Sequence, residues 1–146
     1  MNIALLLIAL SIVAGLAFYT GSLLFRLKAQ LNRREQKTRQ RIVTISESIQ
    51  TIAHAVEQQQ CNLSEGCIRV YHLLEGLPVK DKPDFSLKFP NLYSLYLQIK
   101  DLPTHQARKE QSKVETRNQD LKREALEAQL ETDILREMSV LKRFSI

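Results

Sequence analysis

The stretch IALLLIALSIVAGLAFYTGSLLF, residues 3–25, carries no charge and gives way at once to Arg26 and Lys28. As a helix rising ~1.5 Å per residue it is about 34 Å long, slightly more than the ~30 Å hydrocarbon core of a bilayer. A lone segment in lipid satisfies its peptide groups only as a helix, so the run predicts a membrane-spanning helix over residues 1–25. The rival reading is a cleaved secretory signal. It lacks a basic leading region, and Gly15 with Ala17 makes a poor small-residue cleavage site. No cysteine lies near the end of the run, which argues against a lipoprotein anchor.

Charge is distributed to match. The net charge is +5 with a pI near 9.4, a balance that raises the question of nucleic acid. Yet the seven basic residues Arg26, Lys28, Arg33, Arg34, Lys37, Arg39 and Arg41 face one acid, Glu35, leaving 14 basic and 15 acidic residues elsewhere. Lys and Arg beside a span stay on the cytoplasmic side. The expected topology is therefore a short outside N-terminus and a cytoplasmic body from residue 26 onward. The same charges, as a basic juxtamembrane helix over 26–41, can also touch anionic headgroups. No aromatic residue is interleaved between Leu27 and Val70, so the stacking platform of a single-strand binder is missing and no nucleic-acid partner is expected.

Beyond the run, the chain reads as all-α. Ile42, Ile45, Ile49, Ile52 and Val56 recur at spacings of three and four, one apolar stripe on a helix that has no Pro or Gly up to Gln60. Two heptads are few for a coiled coil, so burial in a small bundle is expected over residues 42–103, with self-association as the alternative. Asn62 and Glu65 have capping-box spacing, which starts a second helix near Leu63, and Gly76 with Pro78 stops it. Residues 77–91 form a Pro-rich loop. Phe85, Leu87 and Phe89 alternate within it and are expected as extended pegs against the bundle, or as a partner-docking segment. A third helix spans 91–102. From Thr104, residues 104–146 read as a long charged helix without Pro or Gly, whose Leu126, Leu130, Ile134, Met138 and Leu141 either fold back on the Ile42–Val56 stripe or meet another chain.

Chemistry is sparse. His54, Cys61, Cys67 and His72 fit no common zinc spacing, and the cysteines lack the Cys-x-x-Cys arrangement of a redox pair. The expectation is a buried Cys67, a Cys61 in a turn, and no metal or other cofactor. His54, His72, Glu65 and Asp101 are available for catalysis, but no spacing joins an acid, a base and a nucleophile. An adaptor held at the membrane is the first reading and a thiol- or charge-based sensor the second, with an enzyme third.

The segments CNLSEGCIRV (61–70), DLPTH (101–105) with ARK (107–109), and RNQDLKRE (117–124) resemble an uncharacterised proteobacterial family, domain of unknown function 2489. Its motif falls here on Cys61, Leu63, Ser64, Glu65, Gly66, Cys67 and Arg69. The resemblance covers nearly the whole chain and implies a small single-span inner-membrane protein without assigned activity. It carries over no catalytic residue.

Overall fold

Without a Pro or Gly after Gly21 to interrupt it, helix α1 continues through the basic stretch and the Ile42–Val56 stripe, covering Asn2–Glu57. In this computed structural model, which describes residues 2–102 and 111–146, α2 (Leu63–Glu75), α3 (Phe85–Lys88), α4 (Pro90–Ile99) and α5 (Lys113–Leu141) follow. There is no strand among the described residues, so the fold is all-α. Two compact units divide the chain, Met1–Gln40 and Arg41–Ile146.

The core of the second unit is built by the predicted stripes. Ile49, Ala53 and Val56 of α1 join Cys67, Val70 and Leu74 of α2, Leu92, Leu95 and Ile99 of α4, and Ile134, Met138 and Leu141 of α5. The C-terminal turns of α5 therefore fold back within the chain. Past them, the Gln50 side-chain amide donates to the Phe144 carbonyl at 2.8 Å and Lys142 pairs with Glu57 at 2.5 Å. A turn closes α1: the N–H groups of Gln60 and Cys61 both reach the Ala55 carbonyl, with Gln59 in the left-handed region at φ 57°.

Three local expectations are corrected. Asn62 does cap α2, but its side chain accepts from the Ser64 N–H at 3.0 Å, and Glu65 turns outward to Arg69. Phe85, Leu87 and Phe89 are not extended, because Asp84 caps a single helical turn there. At helical spacing Phe85 and Phe89 share a face and are both 2% exposed, whereas Leu87 points away at 79%. The long helix does not run unbroken from residue 104. Ser112 is extended and forms a reciprocal capping box with Glu115, so α5 starts at Lys113, while Pro103 and Thr104 lie outside the described residues. That hydrogen bonding holds the Glu115 carboxyl below its ordinary value. The cap's electrostatic contribution is thus present above pH 4.5 and lost as pH falls through the folded-state value.

Helix α4 begins without a cap of its own. Pro90 fills its first position and needs no hydrogen-bond partner there. Glu137 of α5 supplies the rest, accepting from the Asn91 and Leu92 N–H groups at 3.0 and 2.8 Å. A negative charge at a helix N-terminus is favourable for the same reason a cap is, and Glu137 also ties α5 to α4.

Gly66 sets how closely α2 approaches α1, because a Cβ at that position would overlap Val56 Cγ2. Gly66→Ala is expected to destabilise the Arg41–Ile146 unit by about 1–3 kcal/mol despite better helix propensity, the cost of overpacking. Thermal unfolding of the full chain in detergent should show this, and Val56→Ala in the same background should recover part of it. An unchanged or raised midpoint for Gly66→Ala would contradict the close contact.

Candidate functional site

Nothing in the first unit covers its side chains. Along Ile3–Phe25 the large apolar residues are more than half exposed, from 53% at Leu23 to 81% at Phe18. The most apolar 18-residue window has a mean hydropathy of 2.4 and no buried residue, so α1 is long and apolar enough to cross a membrane or to serve as a signal sequence. The hydroxyls within the run are satisfied locally. Ser11 donates to the Ile8 carbonyl at 2.8 Å, Thr20 to that of Leu16 at 2.9 Å and Ser22 to that of Tyr19 at 2.8 Å. This is the arrangement a polar group needs where no water can reach it. Arg26, Lys28, Arg33, Arg34, Lys37 and Arg39 follow on the same helix, all exposed.

In the second unit, the motif around Cys61–Arg69 is a packing seam. Leu63 is half-buried against the core, Gly66 meets Val56, and Ser64 is buried with its hydroxyl donating to the Glu127 carboxylate. Cys61 and Cys67 are both free thiols. Burial, reinforced by the Glu137 and Glu127 carboxylates, pushes the Cys67 thiol up to about 12. Burial and then Glu65 also raise Cys61, with Arg69 opposing. Both shifts run opposite to the lowered value of a reactive cysteine. Cys61 opens on a cleft of about 380 Å³ beside Gln59, Asn62 and Glu131. No three His, Cys, Asp or Glu side chains converge as a metal set among the described residues. His54 meets the Gln58 side-chain amide at 3.1 Å.

Of Phe85, Leu87 and Phe89, only Leu87 remains on the surface; Phe85 stacks on Phe89 in the core at 6.5 Å between centroids. An aromatic cluster that the helical spacing alone did not announce lies on α2 and α4. Tyr71 stacks on Tyr96 at 4.0 Å, Tyr93 lies 5.4 Å from Tyr71, and His72 meets Tyr96 edge-on at 5.5 Å. The missing signal was that Tyr71 and His72 face Tyr93 and Tyr96 across two helices, a relation set by tertiary packing. Burial, and then Glu75, raises the Tyr71 hydroxyl above its ordinary value.

The thiol environments give a direct check. In the folded full-length protein at mildly alkaline pH, a maleimide should label Cys61 and spare Cys67, with Cys67 reacting at least tenfold more slowly until denaturant is added, as a buried thiol with so small a thiolate fraction requires. Equal labelling of both in the folded state would contradict the seam.

Comparison of the sequence with known proteins shows its family. The sequence profile described as "Protein of unknown function (DUF2489)" matches residues 13–141. A Haemophilus influenzae protein described as an "Uncharacterized protein" is 37% identical over 134 residues, covering 92% of this chain and 88% of its own length. No solved structure matches. The match runs through the apolar segment, the Cys61–Arg69 seam and the returning turns of α5, and the chain belongs to this family of proteins of unknown function.

Proposed function

We propose that this is a single-pass protein of the bacterial inner membrane, with its N-terminus outside and its body from Arg26 onward in the cytoplasm. Its helical unit Arg41–Ile146 would be held there as an adaptor that binds another protein. One observation carries the reading: an apolar run with no buried residue in its most apolar window and with its hydroxyls bonded within the helix, which ends abruptly at a basic band. The apolar run supplies the anchor and the basic band supplies the orientation.

The adaptor half of the reading is supported by the surface of the second unit. The half-buried tyrosines Tyr71, Tyr93 and Tyr96, with Leu97 at 42% and Leu87 at 79% exposed, offer the amphipathic contact area that protein interfaces favour. Nothing comparable favours the thiol sensor, because the environment of Cys67 suppresses the thiolate that sensing would need.

Alkaline carbonate extraction of bacterial membranes, combined with a compartment-sensitive reporter after Ile146, tests the reading. Full-length protein should stay in the membrane pellet and report a cytoplasmic C-terminus. Release of a shortened soluble product would replace the anchor with a signal sequence, and a periplasmic reporter signal would reverse the orientation. For the adaptor half, a photocrosslinking residue at Tyr93 or Leu87 in intact cells should give a discrete adduct that is absent when it is placed at Asn118. Equal adducts from all three positions would contradict an interface on that face.

A further inference from the structure

The net charge of the basic band is heavier on one side. At about 100° per residue, Arg33, Arg34 and Lys37 fall within an arc of about 100° that also contains Arg26, and Gln30 sits among them. Lys28, Arg39 and the single acid, Glu35, fall on the opposite side, near 180–220° from Arg26 by the same spacing. All of these residues belong to the first unit and all are exposed. A topology signal depends on the number of charges near the span and is indifferent to which side of the helix they occupy. Sidedness needs another cause.

The length of the apolar run supplies one. A run of about 34 Å in a core of ~30 Å fits without thickening the bilayer if the helix tilts by about 30°. Tilt lowers one side of the emerging helix toward the headgroups and lifts the other. In an upright helix, Lys37 would stand about 16 Å beyond Arg26, past a headgroup layer of about 5–7 Å and past a Debye length of about 8 Å. On the lowered side that distance shrinks. Cα–Cβ bonds also lean toward the helix N-terminus, which is the bilayer side, so the long Arg and Lys chains reach back to it.

We propose that Arg26, Arg33, Arg34 and Lys37 form a lipid-binding stripe that seats the lowered side of a tilted α1 on anionic phospholipid headgroups and so fixes the direction of tilt. The inference rests on the membrane-spanning reading above. Three of the four residues are Arg, whose planar guanidinium takes a phosphate through two parallel hydrogen bonds. Glu35 on the far side is kept away from the same phosphates.

The test compares two charge-matched variants of the full-length protein, reconstituted in phosphatidylcholine bilayers that contain phosphatidylglycerol. The readout is the motionally restricted fraction of spin-labelled phosphatidylglycerol relative to spin-labelled phosphatidylcholine. K37Q should lower the preference for phosphatidylglycerol severalfold, up to about fivefold for the one charge, while R39Q, at nearly the same depth on the opposite side, leaves it near the unsubstituted value. Equal losses in the two variants would show that charge number and not side matters, and would overturn the stripe. Protein that stays in the bilayer without preferring phosphatidylglycerol would overturn the stripe while leaving the anchor standing. Protein that fails to stay in the bilayer would overturn both.

Discussion

The return of α5 onto the rest of the second unit is the constraint on which that unit depends. Ile134, Met138 and Leu141 are fully buried, and they fill the space among Ile49 and Ala53 of α1, Leu74 of α2 and Leu92 and Leu95 of α4. Without them, about 60 residues would have to bury a core alone, a size at which chains are marginal. Polar contacts fix the return in register. Glu137 caps α4, Glu127 takes the Ser64 hydroxyl, and Lys142 reaches Glu57. Each joins α5 or the residues just past it to a different element, so the helix that looked least apolar in sequence holds the others in place.

That arrangement explains which parts were legible in advance. The Ile42–Val56 stripe was readable because burial imposes a helical period on apolar residues, and the helices from Leu63 and over 91–102 because start and stop signals bound them. The return of α5 was one of two open alternatives, since an apolar stripe does not say whether its partner lies in the same chain. Helix starts were less readable. Ser112 with Glu115 is a complete capping box, but it was hidden inside a Pro- and Gly-free run of helix formers that favoured continuity from Thr104. Phe85 and Phe89 looked like a strand pattern because Leu87 lies between them. Asp84 as a cap turned the same spacing into one helical turn.

The candidate site divides in the same way. Residues 3–25 and the basic band were visible from composition and charge, which local sequence records completely. The Cys61–Arg69 motif was visible as a pattern but not as a packing seam, because the contact of Gly66 with Val56 and the carboxylates around Cys67 come from other elements. The tyrosine cluster was dispersed over two helices and became a surface only when α2 and α4 packed together.

The proposed anchoring requires that residues 3–25 lie across a bilayer. Spin labels placed singly from Ala4 to Lys28 in reconstituted full-length protein, read by the relative accessibility to oxygen and to a water-soluble nickel complex, test it most directly. The predicted profile deepens smoothly to a maximum near Ala14 and returns to the aqueous value by Lys28. A shallow profile that oscillates every three to four residues would place the helix flat on the membrane surface and rule out a span.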